Sequence, residues 1–231
     1  NTQSVCFGSS YTIGSNTYTA SGTYTDTFTA ANGCDSIVTT ILTVLPQFTV
    51  AISPTGPITI CNGSTTQLTL VGVANPNFSY QWSDATGTIS GATTSSYTVS
   101  SSGTYSLEVT NSNGCAATSN AVIVNIITVA TPGSLSTSNI MLDRATMNWA
   151  AVANANHYDV RLREQGGSWS ILGNILTTSK TKYNLSSATT YEWQVRSACS
   201  ADSSSVSAWS ATETFSTLTP CTVPTNPTVA N

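Results

Sequence analysis

The stretch SGTYSLEVTNSNGC, Ser102–Cys115, repeats an earlier one, SGTYTDTFTAANGC, Ser21–Cys34, with Gly, Tyr, Asn, Gly and Cys in the same places. Within GTYSLEVT every second residue from Tyr105 to Val109 is apolar, the period of a strand with one buried face. The Asn-Gly that follows is a turn signal, so the frame reads as strand, turn, cysteine. Each copy is preceded by a Cys-x-Gly-Ser segment, at Cys6 and at Cys61, and followed by a strand-like run, DSIVTTILTVLP or SNAVIVNIITV. The copies differ in the middle. The first is shorter by about 26 residues, room for two or three strands of ordinary length.

The longer copy shows further alternating runs, FTVAIS, QLTLVG, FSYQW and SYTVS, separated by Gly, Asn, Pro and Ser clusters. Short strands at that spacing predict an antiparallel two-sheet sandwich. Trp82 stands on the third strand and Tyr105 opens the penultimate one, an arrangement that resembles immunoglobulin-like domains. Leu107 occupies the place of the second cysteine of antibody domains, so the resemblance implies packing where those domains have a disulfide. From about Thr131 the strands ATMNW, HYDVRLRE, YEWQVRS and ETFSTL, with the turn EQGGS, resemble a fibronectin type III domain. Leu185, Thr189, Tyr191 and Val195 keep that family's spacing, while Ser187 replaces its usual proline. The first two repeats also resemble modules of large Bacteroidota surface proteins, among them gliding adhesins and secreted cellulolytic proteins. That resemblance implies tandem arrays exported by type IX secretion. The expected fold is all-β, with three tandem antiparallel β-sandwich-type modules. These are a short Ig-like repeat (1–46), an Ig-like sandwich (47–128) and a fibronectin type III domain (129–218), with 219–231 a linker or the start of a next module.

Composition narrows the function. Only 7% of the 231 residues are charged, and Ser and Thr make up a third. All six basic residues (Arg144, Arg161, Arg163, Lys180, Lys182, Arg196) follow residue 143, and the first 130 residues hold four acids and no base. Nucleic-acid binding needs cations to neutralise phosphate, and an anionic membrane surface needs them too, so neither partner is expected. No apolar run reaches the length of a membrane-spanning helix. The chain opens without a signal-peptide pattern and ends on what reads as the start of another unit, so a mature chain or a fragment is expected.

Six cysteines in a Ser/Thr-rich β chain suit an oxidising compartment, and none has the CxxC spacing of zinc or thioredoxin sites. Sequence order and the repeated spacing suggest Cys6–Cys34 and Cys61–Cys115, leaving Cys199–Cys221. Cys221 has an alternative partner in a next module or a neighbouring chain. The second pairing meets a geometric objection. In an Ig-type sandwich the turn before the second strand and the loop after the penultimate one lie at opposite ends, so Cys61 sits outside that turn or the topology differs.

Catalytic, cofactor and metal sites are not expected. The single histidine, His157, reads as a surface strand residue, and no GxSxG, HExxH, phosphate loop or paired carboxylate motif occurs. Asp26 shares a strand face with Tyr24 and Phe28 and reads as a hydrogen-bonding or edge residue. Among the tryptophans, Trp193 and Trp209 read as packing residues, and Trp169 as the exposed candidate for glycan contact. Ser36 in Asp-Ser-Ile matches the O-glycosylation signal of these bacteria. Asn62, Asn77 and Asn184 stand in Asn-x-Ser, which carries no information in a bacterial chain. The expectation is a non-catalytic structural or adhesive segment of a secreted or cell-surface protein. Its partners would be other modules, copies of itself, neutral polysaccharide or another cell surface. The alternative is an accessory glycan-binding or spacer segment of a polysaccharide-degrading enzyme.

Overall fold

The computed structural model describes residues 1–29, 33–72 and 74–221. The expected linker from 222 onward and residues 30–32 of the first frame lie outside the described residues. Every regular element described is a strand. Two compact units emerge: Asn1–Ile58 with Thr66–Asn125, and Thr59–Thr65 with Ile126–Asn231. The boundary expected at residues 46–47 falls inside the first of them.

The short repeat comprises β1 (Thr2–Val5), β2 (Tyr11–Ile13), β3 (Asn16–Tyr18), β4 (Gly22–Thr29) and β5 (Asp35–Val44). Its sheet runs β1-β5-β4, and β2 and β3 form a separate hairpin. β1 pairs with β5 in parallel, a departure from the expected antiparallel sheet. Leu42 is its one fully enclosed large apolar side chain among the described residues, beside buried Asp26 and Thr40. So small an apolar core cannot hold a module of this length by itself. Asp26 accepts hydrogen bonds from Asn16 Nδ2 and Tyr18 Oη, both at 2.6 Å, which fastens the β2–β3 hairpin to β4.

The next repeat supplies β6 (Ile52–Ser53), β7 (Ile58–Cys61), β8 (Thr66–Leu70), β9 (Ser79–Asp84), β10 (Gly87–Thr88), β11 (Ser96–Val99), β12 (Gly103–Thr110), β13 (Ala116–Thr118) and β14 (Val122–Ile127). One sheet runs β10-β9-β12-β14-β7, with β13 also on β12, and the other β11-β8-β6. Alternation along β12 drives Tyr105, Leu107 and Val109 inward, where Trp82, Leu68, Val99, Val122 and Val124 are also buried. Leu68 and Leu107 are both fully enclosed, which fulfils the expectation of packing at the antibody disulfide position.

The repeated frame now has a physical explanation. Tyr105 Oη donates to the Ser101 carbonyl at 2.9 Å, and Tyr24 Oη to the Ala20 carbonyl at 2.8 Å, the same tyrosine corner twice. Each ring folds back over the glycine two residues before it. A Cβ added at Gly103 would lie 3.1 Å from Tyr105 Oη, and one at Gly22 would lie 3.3 Å from the Tyr24 ring. Gly103→Ala therefore lowers stability by about 1–2 kcal/mol, an overpacking cost, and Gly22→Ala by less; urea midpoints check the order. At the other end, Gly114 sits at φ 78° and donates to the Asn111 carbonyl, while Asn111 N–H bonds the Cys115 carbonyl. That is a three-residue hairpin turn with a glycine bulge, and it delivers the cysteine.

The remaining part comprises β15 (Ser136–Ser138), β16 (Arg144–Asn148), β17 (His157–Glu164), β18 (Ser170–Ile175), β19 (Ser179–Tyr183), β20 (Thr190–Ala198) and β21 (Glu213–Ser216). Its sheets run β15-β16-β19 and β18-β17-β20-β21. The core between them gathers Met147, Trp149, Tyr158, Val160, Leu162, Tyr191, Trp193, Val195 and Phe215. Trp193 is fully enclosed, and its Nε1 donates to Thr137 Oγ1 at 3.0 Å.

Candidate functional site

The disulfides correct the expected pairing. Cys6 bonds Cys115 and Cys61 bonds Cys199, so neither Cys6–Cys34 nor Cys61–Cys115 exists. Cys199 is likewise taken from Cys221, and both Cys34 and Cys221 are exposed. The repeats explain the change. The Cys-x-Gly-Ser segments fold into equivalent turns, Ser9 N–H to the Cys6 carbonyl and Ser64 N–H to the Cys61 carbonyl. Each such turn offers its cysteine to a distant partner, Cys115 or Cys199, not to the frame cysteine within its own repeat. The two covalent loops span 109 and 138 residues and interleave along the chain.

A cleft of about 320 Å³ opens beside the Cys6–Cys115 bridge, lined by Phe7, residues 46–50 and residues 116–118. Its polar side chains are those of Gln47, Thr49 and Thr118, and none of the lining side chains is ionisable.

The outer face of β17 and β20 is chemically richer. HYDVRLRE sends Tyr158, Val160 and Leu162 into the core and Asp159, Arg161 and Arg163 the other way. TYEWQVRSA does the same with Glu192, Gln194 and Arg196. The register pairs Asp159 with Arg196, Arg161 with Gln194 and Arg163 with Glu192. All three pairs are bonded: Arg196 Nε to Asp159 Oδ2 at 3.0 Å, Arg161 Nε to Gln194 Oε1 at 2.6 Å, and Arg163 Nε to Glu192 Oε2 at 2.6 Å.

Two indoles join this row. Trp169, from the turn before β18, has the Arg161 and Arg163 guanidiniums 4.5 and 4.3 Å from its ring centroid. Trp209 has Arg161 at 4.5 Å and Arg196 at 4.6 Å. Contacts of this kind contribute about 0.5–1 kcal/mol each at exposed sites. Trp169 is thus half-buried, where the sequence suggested an exposed residue, and Trp209 is its counterpart along the row.

Two serines place Trp209. Ser207 and Ser210 N–H groups donate to the Ser197 and Val195 carbonyls, and their Oγ atoms accept the N–H groups of those same residues. Each serine side chain takes the part of a strand carbonyl, holding the SAWS segment along β20. Ser119 does the same for Leu107 in the preceding repeat. Sequence reasoning passed over these serines, although the S-x-x-S spacing around Trp209 was visible.

His157 is buried, not on the surface. Its Nε2 lies 2.8 Å from Ser203 Oγ and 3.6 Å from Asp159 Oδ1, and its Nδ1 lies 3.2 Å from Asn156 Oδ1. Serine and carboxylate converge on one ring nitrogen, whereas a charge-stabilised triad needs them on opposite nitrogens. The group ties the loop after Cys199 to β17. In that loop, hydrogen bonds from the Ser204 hydroxyl and N–H, and from Ser200, hold the Asp202 carboxyl at about 2, below its ordinary 3.8. The depressed value means that these bonds stabilise the loop fully above about pH 3.8, and that this stabilisation is lost as pH falls through about 2. Carboxyl NMR titration will show Asp202 ionised at pH 3, and the Ser204 amide shifting with the same midpoint.

Ser36 is exposed on β5, and Asp35 beside it is exposed too. Among the described residues, no three His, Cys, Asp or Glu side chains cluster as metal ligands, and no helix is long and apolar enough to cross a membrane.

No protein-family model and no curated protein matches the sequence significantly. Solved structures do. A multidomain segment of titin aligns over 80% of this chain and 71% of its own, at 18% identity and a TM-score of 0.52. A two-domain fibronectin type III segment from chicken tenascin aligns over 73% of this chain and 97% of its own, at 16% identity and a TM-score of 0.37. At such identities the titin likeness concerns the fold alone, and with the strand orders above it makes this an all-β chain of tandem sandwich-type modules.

Proposed function

We propose that the chain is a non-catalytic structural and adhesive segment of a large secreted or cell-surface protein, a stretch of stalk or filament. The observation that carries this reading is the pair of interleaved disulfides, Cys6–Cys115 between the two sequence repeats and Cys61–Cys199 between the second repeat and the part that follows it. Such bridges resist extension and form in an oxidising compartment, which supports a location outside the cell. The layout proposed is a short Ig-like repeat at 1–46, an Ig-like sandwich at 47–128 and a fibronectin type III module at 129–218. The likeness of the first two repeats to Bacteroidota surface modules supports export by type IX secretion and O-glycosylation at Ser36. The edge strands β1 and β4 are proposed to pair with a neighbouring module or another copy. The intact mass of the native polypeptide, with negative-stain images, tests the reading. A very large chain in extended particles supports it, and a small compact monomer contradicts it.

A second reading, an accessory glycan-binding segment of a secreted polysaccharide-degrading enzyme, draws on Trp169 and Trp209 standing together on one sheet face. Loss of binding to a neutral polysaccharide in Trp169→Ala would favour it. Because guanidiniums stack on both indoles, that face offers a neutral sugar ring little free aromatic surface.

A further inference from the structure

The row Arg163–Trp169–Arg161–Trp209–Arg196 is unevenly neutralised. Arg163 has Glu192 and Arg196 has Asp159, but Arg161 at the centre has only the neutral Gln194. Among the described residues no acceptor takes the Nη1 or Nη2 donors of Arg161. Arg161 and Arg163 are two apart on one strand, about 6.8 Å, which leaves room for an indole between like charges. Stacking covers the faces of the Arg161 guanidinium and Gln194 takes its Nε edge. What remains is the outer Nη rim, four N–H groups in one plane on a half-exposed side chain held still by its neighbours. Desolvation, then the nearby Arg163 and Arg196 charges, lower the Arg161 pKa, so an anion arriving there would relieve a local excess of positive charge.

We propose that the Nη rim of Arg161, whose guanidinium lies over the rings of Trp169 and Trp209, is a binding site for the carboxylate of an acidic, uronate-bearing polysaccharide. A carboxylate fits a guanidinium edge through two parallel charge-assisted hydrogen bonds. An open sheet face does not enclose a small molecule, so usable affinity requires an extended polymer whose repeated carboxylates raise the effective concentration at the one site. The site stands whether or not the parent protein is a stalk.

The test is a titration of the full chain with oligogalacturonate, followed by the side-chain N–H resonances of its arginines. Saturable shifts at Arg161, suppressed by salt and absent with the methyl-esterified oligomer, are expected. Arg161→Lys keeps the charge but loses the planar fork, and binding should fall roughly tenfold or more. Lys180→Gln with Lys182→Gln, on the other sheet, should leave it unchanged. Unmoved Arg161 resonances in the wild-type chain, or Arg161→Lys binding as well as wild type, would overturn the site. Equal shifts with acetate or polyglutamate at the same carboxylate concentration would overturn the polysaccharide assignment. The wild-type spectra answer the question even if Arg161→Lys folds poorly.

Discussion

Trp193→Ala is expected to destabilise the second compact unit by about 3–5 kcal/mol, the cost of an uncollapsed cavity left by a large aromatic side chain. Trp193 is fully enclosed on β20, its ring 6.4 Å from Trp149, and its Nε1 is the partner of Thr137 Oγ1. Truncation removes the apolar contacts and leaves that hydroxyl without its donor. A loss of this size is a large part of the total stability of a single domain. Trp169→Ala is the contrast. It removes two guanidinium contacts from a half-buried ring and should cost about 1–2 kcal/mol. Calorimetry or urea unfolding separates the two, and equal effects would mean that the core is not where the alternation of β17 and β20 places it.

The second large effect concerns the bridges. Loops of 109 and 138 residues each remove about 4–5 kcal/mol of unfolded-chain entropy in the chain-entropy account. Because the loops interleave, the two contributions are not additive. Serine at both Cys61 and Cys199 should lower the stability of the second unit by about 3–5 kcal/mol. Serine at both Cys6 and Cys115 should act most on the short repeat, whose core is little more than Leu42. Partial proteolysis within residues 1–46 reads that loss directly.

Much of the fold was legible because strand alternation is a local property. HYDVRLRE was read to its ends, and Trp82, Tyr105 and Leu107 fell where the sandwich puts them. The β2–β3 hairpin was not anticipated, since YTIGSNTY is too short for its period to stand out. The disulfides were misread because repeat spacing records which cysteines are equivalent, whereas bonding depends on which turns meet in space. His157 was misread because His157, Tyr158, Asp159 and Val160 are buried in succession. Polar partners from a distant loop, not alternation, enclose its imidazole. The Arg–Trp row draws on β17, the turn before β18, β20 and the SAWS segment, and no single window of sequence contains it.

Two interleaved disulfides tie distant stretches of this chain together, and pulling one molecule by its two ends tests that most directly. With both bridges intact, the shortest covalent route runs from Asn1 along the chain to Cys61 and across to Cys199, matched within a few ångström by the route from Cys6 to Cys115 and back to Cys61. That route is about 90 residues, so the unfolded contour should stop at roughly 300 Å, against roughly 800 Å after reduction. A contour near 800 Å before any reductant is added would contradict the account.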